Sequence, residues 1–167
     1  MKKIYTLLLL SIFGACNFST EKEVLKSDYP SAIDDVLTAY FSAVSGVGEH
    51  DWAALEAICL SSTQFNSMGI NDAGENTWHP TTLTEFESHM GPYIAREGFY
   101  QKSIRYQVDY YNKVAQAWVL YESRNNPDGP LVDKGMASFH LVQLDGQWKV
   151  ANVIWNSETK DKPISDF

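Results

Sequence analysis

The residues of this 167-residue chain able to move protons are four histidines, nine tyrosines and scattered carboxylates. His79 lies between Trp78 and Pro80, at the end of a predicted strand. An imidazole there titrates near neutral pH and is a candidate general acid or base, with a merely solvated loop histidine as the alternative. His89 stands beside Met90 on the flank of a helical stripe. Asp35, Asp109 and Glu122 are carboxylates that could serve as a base, Asp35 beside the stripe of the first helix. Glu122-Ser123-Arg124 reads equally well as a rim ion-pair cluster, worth little. No histidine is spaced from another, or from Asp, Glu or Cys, as a metal site requires, so no metal is expected. No G-x-S-x-G, Walker or dinucleotide fingerprint is present, and no cofactor is expected.

Which side chains meet a ligand depends on two predicted β-hairpins. Asp145-Gly146 between apolar runs signals a two-residue turn with positive φ at both positions. That turn sets Leu144 opposite Gln147, and strict alternation then sorts the flanking strands. One face carries Ala137, Phe139, Leu141, Trp148, Val150, Asn152 and Ile154; the other carries Ser138, His140, Val142, Lys149, Ala151, Val153 and Trp155. The first is the more apolar and is assigned to the interior. Asn152 is the polar exception there, and needs a partner or costs about 1–3 kcal/mol. It is a pocket candidate with Ile154 and Phe139, a structural hydrogen bond being the alternative. His140, Val153 and Trp155 fall on the second face, too apolar for open solvent, which predicts a homodimer surface. Across Asn112-Lys113 the same logic groups Tyr106, Val108, Tyr110, Ala117, Val119 and Tyr121. The tyrosines Tyr106, Tyr110 and Tyr121, with Tyr40 and Trp78, complete the expected pocket, although tyrosine is also simply a good strand residue.

Several elements must hold these positions. Ile33, Val36, Leu37, Tyr40, Phe41 and Val44 recur at helical spacing after a capping Ser31. Gly46 and Gly48 end this helix, and Asp51 caps a short second one over 52–59. Residues 61–80 read as a hairpin with strands near 64–68 and 76–79. Thr82 and Glu85 form a capping box. Leu83, Phe86, Met90 and Ile94 follow on one face, and Gly91-Pro92 predicts a kink or split. Gly98 closes that helix, and four long strands follow.

The N-terminus reads as an address. Lys2 and Lys3 precede an apolar run over 4–13, too short to span a bilayer, and Gly14-Ala15-Cys16 follows. This resembles a bacterial lipobox, with Phe13 departing from the usual leucine. It implies a leader over 1–15, acylation of Cys16, a polar tether over 16–30 and a cell-envelope, extracytoplasmic location, with membrane contact through the lipid alone. Cleavage would leave 152 residues, one domain's worth, and move the net charge from −8 to −10. An acidic chain is a poor nucleic-acid partner. Cys59 then has no disulfide partner and reads as buried and inert.

The order helix, helix, hairpin, helix, long strands is that of an α+β cone. Residues 31–158, before a tail over 159–167, resemble the NTF2-like superfamily, its SnoaL-like and ketosteroid-isomerase-like branches included. The likeness rests on the first-helix stripe, on His50-Asp51-Trp52-Ala53-Ala54-Leu55, on Ala115-x-Ala117-Trp118-Val119 and Tyr121-Glu122-Ser123-Arg124, and on 135–155 with its Asp-Gly-x-Trp turn. It implies a curved antiparallel sheet wrapped around about three helices, with a cavity. It does not imply one chemistry. The leading expectation is a lipid-anchored protein that binds a small, partly aromatic molecule. An interaction module using the sheet face, and an isomerase, dehydratase or cyclase with a His or carboxylate base, are the alternatives.

Overall fold

The computed structural model describes residues 29–164; the leader, Cys16 and most of the tether lie outside the described residues. Helix α1 (Ala32–Ala43) buries the predicted stripe, with Ile33, Leu37 and Val44 almost fully enclosed. Ser31 precedes it in helical conformation and makes no side-chain cap. The short α2 (Ala53–Ile58) starts where Asp51 Oδ1 accepts the Ala53 amide at 3.0 Å. Strands β1 (Cys59–Ile70) and β2 (Asn76–Thr82) form the expected hairpin, closed by Asn71, whose Oδ1 accepts the Ala73 and Glu75 amides. Helix α3 (Leu83–Glu97) opens on the complete Thr82–Glu85 capping box. It continues through Pro92 without splitting, and Gly98 closes it at φ 73°. The acceptor that Pro92 leaves free belongs to exposed Ser88, where water can take it.

The four remaining strands are β3 (Tyr100–Tyr111), β4 (Val114–Arg124), β5 (Asp133–Leu144) and β6 (Gln147–Ser157). All six strands form one sheet in the order β2-β1-β6-β5-β4-β3. The sheet is mixed: β1 runs parallel to β6, where a wholly antiparallel sheet was expected. The parallel pairing is possible because α3 and four strands separate the two in the chain. Pro80 is tolerated because β2 is an edge strand. The helices lie on the concave face over a core that joins Leu37, Phe41, Leu55, Phe65, Val119, Phe139 and Val150. Among the described residues no helix is long and apolar enough to cross a membrane.

The Asp145-Gly146 turn has positive φ at both residues, 49° and 79°. Pairing starts as predicted at Leu144↔Gln147 and holds to Leu141↔Val150, but the next pairs are His140↔Asn152 and Phe139↔Val153. Ala151 is the extra residue of a β-bulge. One added residue reverses every later side chain. Val153 and Trp155 therefore face the core with Phe139 and Ala137, while Asn152 and Ile154 join His140 and Ser138 on the convex face. The bulge is held from the neighbouring strand: buried Thr63 donates its hydroxyl to the Val150 carbonyl at 2.7 Å, and the β1–β6 ladder itself shifts between Cys59 and Gln64.

Candidate functional site

The concave face and α3 enclose a cavity of about 290 Å³. Helix α1 contributes Tyr40 and Phe41, and α3 contributes Phe86, Met90 and Tyr93. Phe99 and Gln101 come from the start of β3, Tyr121 and Ser123 from β4, Val132, Asp133, Ala137 and Phe139 from the approach to β5 and β5 itself, and Val153 and Trp155 from β6. More than half of these side chains are aromatic. Their rings pack edge to face, as aromatic quadrupoles prefer: Tyr40 to Phe139 at 4.7 Å, and Phe86 to Trp155 at 6.5 Å. Phe86 is steadied from behind by stacking on Phe65 at 4.4 Å.

Polar side chains in this largely apolar lining are Tyr40, Tyr93, Gln101, Tyr121, Ser123 and Asp133. The Tyr40 hydroxyl, on a residue only 5 % exposed, has no hydrogen-bond partner among the described residues. Burial pushes its pKa well above that of ordinary tyrosine, with the nearby Cys59 and Tyr121 adding to the rise. It is a neutral donor at any physiological pH. At the end where β5 begins, Tyr121 donates to Asp133 Oδ2 at 3.1 Å, and Ser157 donates to the same oxygen at 3.1 Å. Burial first, and the Asp133 charge after it, also raise the Tyr121 pKa. Gly135 makes this contact possible: a Cβ there would stand 2.4 Å from the Tyr121 hydroxyl oxygen and 2.6 Å from the Asn156 carbonyl.

The structure brings together some of the sequence candidates and separates others. Phe139, Tyr121 and Tyr40 line the cavity. Asn152 and Ile154 do not, because the Ala151 bulge turns them outward; Asn152 Oδ1 accepts instead from Asn66 Nδ2 at 2.7 Å, the structural alternative. Val153 and Trp155, expected on a dimer face, line the cavity for the same reason, while His140 is exposed on the convex side. Tyr106 points at α1, and its hydroxyl donates to Asp34 Oδ1 at 2.7 Å beside that of Tyr29 at 2.9 Å. Asp34, not exposed Asp35, is thus the engaged carboxylate of this helix. Tyr110 packs against Trp148 at 5.9 Å, away from the cavity. Trp78 and His79 line an outer groove with Glu85 and His89 that shares Phe86, Met90 and Trp155 with the cavity. There His79 Nε2 lies 2.9 Å from Thr77 Oγ1, and both Trp78 and His79 are exposed. Among the described residues no group of His, Cys, Asp or Glu is arranged to hold a metal. Cys59 is buried, and burial pushes its thiol up to about 12, the opposite of an activated nucleophile.

Sequence reasoning missed Asp133, which reads as the end of a loop, and Gln101, Val132 and Ser123. Phe41, Phe86 and Met90 were visible as helix stripes, whose period shows what is buried but not whether it borders a void.

A cup of this order and curvature is shared with many solved structures. An NTF2-like protein of unknown function from Pseudomonas putida matches with a TM-score of 0.58 at 14% identity, over 82% of this chain and 94% of that one. The chain has the NTF2-like fold. A protein from Shewanella frigidimarina proposed to be a ketosteroid isomerase matches at 0.52 and 20% identity, over 75% of this chain and 94% of that one. A hexachlorocyclohexane dehydrochlorinase matches at 0.55 and 11% identity, over 77% and 84%. No family model and no curated protein sequence matches the chain. At these identities the likeness extends to the fold alone, and one fold serves many functions.

Proposed function

We propose that this protein binds a small, partly aromatic molecule in the NTF2-like cup, held on the extracytoplasmic side of a bacterial membrane by acylated Cys16. The observation that carries the binding reading is an aromatic cavity of about 290 Å³ whose lining includes Tyr40, whose hydroxyl makes no hydrogen bond among the described residues. Its size sits near the lower end of the ~300–1,000 Å³ usual for ligand pockets, so the ligand is small. A ligand acceptor within reach of the Tyr40 hydroxyl would gain a hydrogen bond, typically about 0.5–1.5 kcal/mol net. Calorimetric titration of the acyl-free protein with 2-naphthylmethanol should show saturable one-to-one binding, lost in Ala137→Phe, which fills the cavity. Absence of saturable heat in the unsubstituted protein sinks the reading. For the anchor, Cys16→Ser should move the protein from the membrane to the soluble fraction.

The convex face supports a homodimer, on a surface redrawn from the sequence expectation: Val114 and Trp118, 53 % and 43 % exposed, with His140 and Ile154. Trp118→Glu should convert a dimer to a monomer by sedimentation. A monomer before substitution refutes it.

Asp133, half-buried in the cavity lining and bonded to Tyr121, favours one second reading, an isomerase-type enzyme with Asp133 as base and a tyrosine hydroxyl as donor to the developing oxyanion. Its test is α-deuterium exchange of 2-tetralone followed by NMR: acceleration by the protein, abolished in Asp133→Asn, is expected, and exchange at the buffer rate overturns it.

A further inference from the structure

The charge inside the cavity is one-sided. Asp133 is a carboxylate among the lining residues, and no lysine or arginine is. The cations adjoining it in the strands are engaged elsewhere: Arg124 Nη2 bonds Glu122 at 3.0 Å, and Lys134 Nζ lies 3.5 Å from Glu158. Both hydrogen bonds that Asp133 accepts fall on Oδ2, so Oδ1 keeps its full accepting capacity among the described residues. The half-buried carboxylate stands where the cavity reaches the surface, next to Val132, which is 53 % exposed. The same cavity is lined by the rings of Tyr121, Phe99 and Tyr93, the last two edge to face at 6.2 Å.

We infer that the cup takes an organic cation: an ammonium group on a compact aromatic or alicyclic body, the ammonium at Asp133 and the body between the rings. This rests on the binding reading above and adds the charge of the ligand to it. The physical case is direct. An anionic or purely apolar ligand would leave Asp133 desolvated and uncompensated, whereas an ammonium supplies the counter-charge. Aromatic faces add attraction for the same cation, more when water is excluded. An oxygen already held by Tyr121 and Ser157 fixes the carboxylate before the ligand arrives, which reduces the ordering cost of binding.

The test uses three probes matched in shape, 3-phenylpropan-1-amine, 3-phenylpropan-1-ol and 3-phenylpropanoate, titrated calorimetrically into the acyl-free protein. The amine should bind about tenfold tighter than the alcohol, the carboxylate most weakly. Asp133→Asn should bring amine and alcohol together, removing the roughly tenfold preference for the amine. Val132→Lys, at an exposed position beside Asp133, should weaken the amine relative to the alcohol and strengthen the carboxylate. Equal affinity for all three probes, or tighter carboxylate binding, overturns the inference and leaves the binding reading standing. An amine preference that survives both substitutions reports only the overall acidity of the chain and also overturns it. If none of the three binds the unsubstituted protein, the binding reading falls too.

Discussion

In the β3–β4 hairpin, pairing that starts at Tyr111↔Val114 runs unbroken to Arg105↔Leu120; in β5–β6, pairing that starts at Leu144↔Gln147 stops at Leu141↔Val150. Both turns begin with a polar residue at positive φ, Asn112 and Asp145. Both hairpins contain a one-residue bulge, at Ile104 and at Ala151, and each bulge turns a cavity residue inward: Gln101 in the first, Val153 and Trp155 in the second. The difference is one of place. Strand β3 is an edge of the sheet, so its bulge answers to one neighbour and falls far from the turn. Strand β6 lies between antiparallel β5 and parallel β1 and must satisfy two ladders of different geometry. Its bulge sits near mid-strand, where Thr63 supplies a partner for the Val150 carbonyl. Turn chemistry governs register locally; the neighbouring strands govern it further on.

Deleting each bulge residue separates the two cases most sharply. Removing Ala151 should abolish cooperative thermal unfolding and the near-UV dichroism of the packed aromatics, because Val153 and Trp155 would be turned out of the core. Removing Ile104 should leave a folded protein with a lower melting temperature, since an edge strand can slip at less cost. Equal damage from both would undo the contrast.

Gly135→Ala comes next. The added Cβ would press on both the Tyr121 hydroxyl and the Asn156 carbonyl, joining the two hairpins' contributions at one point. The expected loss is roughly 1–3 kcal/mol, read as a lower urea midpoint with unchanged slope. Thr63→Val keeps the shape of the buried side chain and removes the donor to the bulge. It should cost about 1–3 kcal/mol, and amide exchange should quicken in β5–β6 rather than in β3–β4. Uniform exchange changes across the sheet would mean that the bulge is not specially dependent on Thr63.

Cys59, opposite Val150 at the edge of the same bulge, gives the smallest effect. Its pKa is raised to about 12 by burial, above the 9.0 of a free thiol, so the folded state holds the proton more tightly than the unfolded one. Its contribution to stability is therefore complete below pH 9.0, and it is lost as the pH rises toward about 12. The alkaline decline in stability should be shallower in Cys59→Ala than in the unsubstituted protein, measured by urea unfolding on a Cys16→Ser background. An identical decline would place Cys59 outside the closed region.

Much of the scaffold was readable in the chain because the signals are local. The stripe from Ile33 to Val44, the Thr82–Glu85 box and the Asp145-Gly146 turn each state their own conformation within a few residues. Strand β4 carries no bulge, so the alternation that assigned Ala117, Val119 and Tyr121 to the interior held over its whole length. The candidate site was only half legible. Tyr40, Phe139 and Tyr121 came from periodicity, whereas Asp133 carried no sign that a strand would begin there with its carboxylate against Tyr121 and Ser157.

The amino-acid sequence by itself determined the elements, the two-residue turns, the order of helices and strands and the aromatic wealth of the interior, all set by backbone preferences and burial within a short window. Tertiary structure alone decided which face of β6 looks into the cup. Ala151 does not differ in type from its neighbours in any way that announces a bulge. What makes it the extra residue is the demand of two flanking strands on one backbone, met by the hydroxyl of Thr63, which lies 87 positions from the Val150 carbonyl it satisfies.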